Sequence, residues 1–406
     1  MPARLVSLLL FLFGLLLNEW AFELVFPGSR NVDAFNRLLV LVLDLFILDI
    51  SSVLLLLGKG KTLGDVLRFI KNTFPRLTAI YIGIFTAYLM IVGMEFSCRV
   101  YFKYFYKAPY TEVTKWEPYS KIPNEKLGYK LPPDTSLRHQ YIINDSLIYD
   151  YTYPIDSFSR RITPMPDSLL RNKFLIVSGC SFAFGYGVDN DQTLAARLGA
   201  EMPDYKPYNY GVAGYGTQQM MVKLQEGFKP KEIPEKSGVF IYFFIDDHVR
   251  RTVCSRYIVK LWGENFPSFE LDDGKPVNSG PFKKAHPIKF WFYNALSQSA
   301  FIDLFQIDFP LWIRDKHLKL VANIIAESKK EFEVQFPGSK FYVLLAPGSK
   351  LSPRLIPFLK NLNIDFIDCS QLLNPKNPEY LTHYTDRHPN ALYYKKLAKA
   401  VAQEIK

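Results

Sequence analysis

Long runs of Leu, Ile, Val and Phe crowd into residues 1 to 107, and the rest of the 406-residue chain has the mixed polarity of a water-soluble domain. A mean hydropathy of -0.01 averages these two unlike parts. A helix needs roughly 20 apolar residues to cross a hydrocarbon core of about 30 Å. Leu38 to Leu57 is interrupted only by Asp44, Asp49, Ser51 and Ser52, and Leu77 to Phe96 has no charge before Glu95. Leu5 to Leu17 follows Arg4 like the core of a signal peptide, but no small-x-small cleavage site comes after it. Asn18 to Glu23 extends it with a Trp-marked polar edge, so three spans are expected, at about 5–26, 38–57 and 77–96. Residues 1–107 therefore read as a membrane anchor. A hydrophobic content of 49% over the whole chain excludes intrinsic disorder, since that much apolar surface can offset the chain entropy of folding.

Lys and Arg are retained on the cytoplasmic side. Lys59, Lys61, Arg68, Lys71 and Arg76 lie between the second and third spans, against Arg30 and Arg37 before the second. That loop is expected in the cytoplasm, which places the C-terminal part outside the cytoplasmic membrane; Arg99, Lys103 and Lys107 weigh the other way. Asp44 and Asp49 inside a span are costly unless paired, and polar contacts between helices are the expected use.

The net charge of +10 is not gathered into a basic helix or a stripe interleaved with aromatics, so no nucleic-acid partner is expected. Cys98, Cys180, Cys254 and Cys369 form no CxxC pair, which suggests neither a metal ribbon nor a disulfide scaffold, and a bridge between Cys254 and Cys369 does not follow from the sequence.

Residues 108–170 are rich in Tyr and Pro and read as a lead-in of short strands and turns. From 171 onward, strands alternate with helices. Strands are expected at Phe174–Val177, Tyr208–Val212, Val239–Ile245, Phe341–Ala346 and Ile364–Ile367. Helices are expected at about 193–202, 217–228, 317–332 and 391–405, with an insertion at about 255–315. Such alternation implies a parallel sheet covered on both faces, with the ligand site beyond the carboxyl ends of its strands.

Chemistry-bearing residues cluster at those ends. Gly179-Cys180-Ser181-Phe182 closes the first strand and exposes a serine near backbone N–H groups able to hold an oxyanion. Gly211-Val212-Ala213-Gly214-Tyr215-Gly216 follows the second, where glycine lets a substrate approach the main chain. The third runs into Asp246-Asp247-His248-Val249-Arg250-Arg251, whose charges must pair or act. In Asp386-Arg387-His388-Pro389-Asn390, before the last helix, Asp386 can fix the tautomer of His388 while the other ring nitrogen takes a serine proton.

In this order the four blocks resemble those of the SGNH (GDSL) hydrolase superfamily over residues 171–406, and Gly128 to Thr163 resembles the lead-in of its membrane-anchored members. The resemblance implies a flavodoxin-like three-layer α/β sandwich in which Ser181 is the nucleophile, His388 the base and Asp386 its orienting acid. It also implies an oxyanion hole from the N–H groups of Ser181 and Gly214, and neither metal nor organic cofactor. Its chemistry is ester hydrolysis or acyl transfer, often of acetyl groups on carbohydrate.

Three positions depart from the pattern. Cys180 stands where Asp is usual, Thr385 where the acid usually lies, and Asp246 where an Asn normally supplies the third oxyanion donor. An ionised Asp246 would repel the oxyanion by a kcal/mol or more, so it must be protonated, turned away or paired with Arg250 or Arg251; Asp247 and Arg250 are candidate accessory residues. The expected protein is a membrane-anchored esterase or O-acyltransferase for an acylated envelope glycan or lipid, a transferase needing a membrane acyltransferase partner. The alternative is a catalytically weakened module that binds envelope polysaccharide or assists such a partner.

Overall fold

The computed structural model describes residues 1–16, 34–165 and 171–405. They form two compact units, Met1–Lys107 with Trp291–Asp308, and Ala108–Phe290 with Phe309–Lys406.

In the first unit, helices Ala34–Leu57 and Pro75–Tyr104 are both long and apolar enough to cross a membrane. Helix Ala3–Leu16 has 14 residues and reaches only about 21 Å, short of a bilayer core. The remainder of the expected first span, 17–26, lies outside the described residues, so two membrane-length helices stand where three spans were expected. Three polar side chains join these helices: Ser51 and Ser7 each donate to the other's carbonyl, at 2.9 and 2.7 Å, and the Tyr88 hydroxyl donates to the Leu39 carbonyl at 2.8 Å.

The basic connection before the last long helix contains a further helix, Leu63–Thr73, started by a reciprocal cap between Thr62 and Asp65. Leu63, Val66, Leu67 and Ile70 recur at helical spacing along it, with Arg68 and Lys71 between them. Glu95, only 2% exposed, accepts from the Ser299 hydroxyl at 2.7 Å and from the N–H groups of Ala300 and Phe301 at 2.9 and 3.1 Å. It thereby caps the short helix Ala300–Leu304, so this stretch of the expected insertion packs on the long helix.

The second unit is built on a five-stranded sheet. Its strands are β6 (Lys173–Gly179), β7 (Tyr205–Gly211), β8 (Gly238–Phe244), β11 (Lys340–Leu345) and β12 (Phe366–Asp368), in spatial order β12-β11-β8-β6-β7. Every pairing is parallel. Numbered along the chain this is 2-1-3-4-5, the flavodoxin-like order, whose switch point lies between β6 and β8. Alternate residues serve opposite faces. Leu175, Val177, Ile241 and Phe243 pack with Leu194, Leu198, Leu397 and Val401, from helices Leu194–Glu201 and Ala391–Ile405. Phe174, Ile176, Phe240 and Tyr242 pack instead with Met220, Leu224, Val321 and Leu355, from helices Thr217–Glu226, Asp315–Gln335 and Ser352–Asn361. The last of these was not anticipated, because Pro353 and Pro357 disguise its period.

The lead-in is more regular than short strands and turns. Strand β1 (Glu112–Glu117) pairs with β4 (Thr135–Ile143), which pairs with the ten-residue β5 (Ser146–Ile155), all antiparallel. Asn144 and Asp145, at φ 47° and 61°, supply the left-handed turn between β4 and β5 that hides the hairpin in a Tyr-rich sequence. The shorter hairpin of β2 (Ile122–Asn124) and β3 (Gly128–Lys130) lies between β1 and β4 in the chain, and β9 (Pro267–Asp272) with β10 (Lys275–Pro281) forms another in the expected insertion.

Candidate active site

Strand β6 ends at Gly179, and Ser181 opens a single helical turn, Ser181–Phe184, closed by Gly185 in the left-handed conformation. The Ser181 side chain faces His388, with Oγ 2.9 Å from Nε2. His388 Nδ1 lies 2.7 Å from Asp386 Oδ1. A carboxylate can only accept, so Nδ1 carries the ring proton, Nε2 is left as acceptor, and the Ser181 hydroxyl donates to it. Burial alone would favour protonation of Asp386, but hydrogen bonds from His388, Thr382 and Tyr149 outweigh it and hold the carboxyl below its ordinary range.

These residues sit in a framework that crosses the whole second unit. Tyr149, on β5, donates to Asp386 Oδ2 at 3.1 Å, and Thr382 donates to the same oxygen at 2.8 Å. Burial and the Asp386 charge push the Tyr149 phenol far above its usual value, so it remains a donor. Asn390 fixes the other side of the His388 loop: its amide donates to the Glu379 and Leu381 carbonyls, and its Oδ1 accepts the N–H groups of Leu392 and Tyr393 at the start of the last helix. Arg161, buried against the Tyr153 ring, donates to the carbonyls of Phe184, Gly185 and Val188, which locks the turn after Ser181. The Tyr186 and Phe182 rings stand 5.2 and 5.6 Å from the His388 ring.

The Gly214 turn is held from its carbonyl side. Tyr129 donates to Ala213 O at 2.6 Å, Trp262 Nε1 to Gly214 O at 3.3 Å, and Arg251 to Tyr215 O at 2.8 Å. Three successive carbonyls are thus pinned by three separate elements. Among the described residues, the backbone N–H groups of Ser181 and Gly214 have no hydrogen-bond partner. Gly214 has φ +83°, and a Cβ there would collide with the Tyr129 hydroxyl and come within 2.9 Å of Trp262 Nε1.

Asp246 cannot be the third donor. Its carboxylate accepts from the Ser349 hydroxyl and from the N–H groups of Lys350 (2.8 Å) and Leu351 (3.3 Å), so its oxygens are taken up by the loop after β11. Asp247 is an exposed side chain with Arg251 3.9 Å away, and Arg250 donates to the Pro310 carbonyl at 3.3 Å. His248 is fully buried with Nδ1 against the Tyr242 hydroxyl at 2.7 Å, and burial drives its pKa well below the ordinary value. All four cysteines are free and buried. Among the described residues no group of three or more His, Cys, Asp or Glu is placed to hold a metal ion.

No family model and no curated protein matches the sequence. Among solved structures, the chain is similar to an acetyl xylan esterase from the rumen bacterium Butyrivibrio proteoclasticus, with 9% identity over 73% of this chain and 98% of that one and a TM-score of 0.34. A carbohydrate esterase family 2 enzyme from Corynascus thermopiles (Myceliophthora fergusii) shows 12% identity over 64% and 70%, with a TM-score of 0.33. A G-D-S-L family protein from Desulfitobacterium hafniense shows 16% identity over 57% and 99%, with a TM-score of 0.29. Similarity at this level assigns neither activity nor substrate.

Proposed function

We propose that this chain is a membrane-anchored serine esterase or O-acyltransferase of the SGNH type, working outside the cytoplasmic membrane on acylated envelope glycan or lipid. The observation that carries the reading is the unbroken relay from Ser181 Oγ through His388 to Asp386, at 2.9 and 2.7 Å. Ser181 Oγ would attack the ester carbonyl carbon while its proton passes to Nε2, and Asp386 would stabilise the imidazolium formed. The carbonyl oxygen, now negative, would be received by the N–H groups of Ser181 and Gly214. Collapse would break the ester C–O bond, return the proton from Nε2 to the departing alcohol and leave an acyl group on Ser181. Water or a sugar hydroxyl would then take the acyl group by the reverse steps.

The same relay favours chemistry over a binding-only use of the fold. The Asp246 carboxylate is engaged by Ser349, Lys350 and Leu351, which leaves the hole with the main-chain donors of Ser181 and Gly214. As a transferase the chain would need a membrane acyltransferase partner to present the acyl donor. The test is hydrolysis of 4-nitrophenyl acetate by the full chain in detergent. Ser181→Ala should abolish turnover above background; activity equal to wild type would remove Ser181 from the mechanism.

A further inference from the structure

The unit that holds Ser181 is interrupted in the chain. Trp291–Asp308, from the middle of its sequence, belongs instead to the unit of the two membrane-length helices. Two side chains of the helix Pro75–Tyr104 hold this excursion. Glu95 caps Ala300–Leu304, and Arg99 donates both to Glu95 Oε1 at 2.8 Å and to the Gln298 carbonyl at 3.0 Å. Their level on the helix matters. Its apolar stretch opens at Leu77, and from there to Glu95 the helix rises about 27 Å, close to the thickness of a hydrocarbon core. Glu95 therefore stands where the hydrocarbon of a bilayer would end, and so does the segment that it caps.

The side chains that this segment turns outward suit such a level. Trp291 and Phe292 are 55% and 44% exposed, whereas Tyr293 and Ala295 of the same helix, Pro287–Leu296, are buried. Phe305, 61% exposed, has its ring 4.8 Å from that of Phe301. The last turn of the long helix adds exposed Tyr101 and Tyr104, with Lys103 Nζ 5.1 Å from the centre of the Tyr104 ring. Rings left in water forgo the stabilisation that burial of apolar surface brings, while Trp and Tyr gather at the boundary between headgroups and acyl chains. Lipid at that boundary would cover these rings, and exposed Asn294 and Gln306 beside them suit the headgroups.

We infer that Trp291–Asp308 is a membrane foot, resting in the headgroup layer of the leaflet in which the helix Pro75–Tyr104 ends. The unit that holds Ser181 is then joined to the bilayer by three chain crossings, after Lys107, before Trp291 and after Asp308, rather than by one. The inference rests on the membrane-anchored reading and not on the esterase chemistry.

The test reads tryptophan emission from the full chain in nanodiscs of phosphatidylcholine, plain or brominated in the upper acyl chain, since bromine quenches only rings close to it. The emission of wild type minus that of Trp291→Phe isolates Trp291, and bromination is expected to remove at least half of it. Phe305→Trp should add emission that is quenched alike. Leu89→Trp, at an exposed position of the long helix, is the control for the membrane itself. Quenched Leu89→Trp emission with Trp291 emission unchanged would overturn the foot and leave that face to water or to a protein partner. Leu89→Trp emission insensitive to bromine would overturn the membrane anchor on which the inference rests.

Discussion

The Tyr149 hydroxyl donates to Asp386 Oδ2 at 3.1 Å, joining residues 237 positions apart in the chain. Removing that donor should leave the acid with Thr382 and His388 only, less able to stabilise an imidazolium. Tyr149→Phe is expected to lower kcat about tenfold, from about 1.5 kcal/mol for a hydrogen bond to a charged group, with KM changed less than twofold. A kcat equal to wild type would show that the contact does not support His388.

The Gly214 turn leaves no room for a side chain, since a Cβ would press on Tyr129 and Trp262 at a φ that favours glycine. Gly214→Ala should shift the N–H out of the oxyanion position and cost about 10² to 10³ in kcat, with the circular dichroism spectrum retained. Wild-type turnover in this variant would remove that N–H from the account.

The carboxylate of Asp246 accepts three donors from Ser349 to Leu351. Asp246→Asn should therefore gain no oxyanion donor; it should lower stability by about 1–2 kcal/mol and leave kcat within about threefold. A tenfold rise in kcat would mean that Asp246 reaches the oxyanion after all, and denaturant titration alongside the kinetics separates the two effects.

His139 is 2% exposed, stacked 3.9 Å from the Trp116 ring, and burial pushes its pKa down to about 3 from 6.5. The unfolded chain takes up a proton at this residue below about pH 6.5 while the folded chain does not. Stability is thus full above that pH and falls on acidification toward pH 3, by about 1.4 kcal/mol per pH unit from this group. His139→Phe, which can keep the stack on Trp116, should flatten the decline between pH 6.5 and pH 4.5 in denaturant titrations. An identical slope would place the acid sensitivity elsewhere.

What could be read in the sequence is what local chemistry encodes. Three strands of the sheet, Lys173–Gly179, Gly238–Phe244 and Lys340–Leu345, announce themselves as short apolar runs, and Ser181, Gly214, Asp386 and His388 lie at strand ends or before a helix, where a parallel sheet gathers such groups. The side chains that hold them were hidden. Tyr149, Arg161, Tyr129 and Trp262 reach the site from distant segments, and a Tyr or Trp bears no mark of the carbonyl or carboxylate it will serve. The ten-residue β5 was obscured by a turn that uses Asn144 and Asp145 in place of glycine. Asp246 was legible as a conflict, since a carboxylate does not suit an oxyanion hole, but its resolution through Ser349 depends on a loop about 100 residues away.

The central claim is that Ser181 is activated by His388. Full-length protein in detergent, treated with a fluorophosphonate and analysed by peptide mass spectrometry, tests it most directly. Label is expected on Ser181, absent from Ser181→Ala and reduced at least a hundredfold in rate in His388→Ala. A folded protein that takes no label, or whose Ser181 labels equally fast without His388, would contradict it.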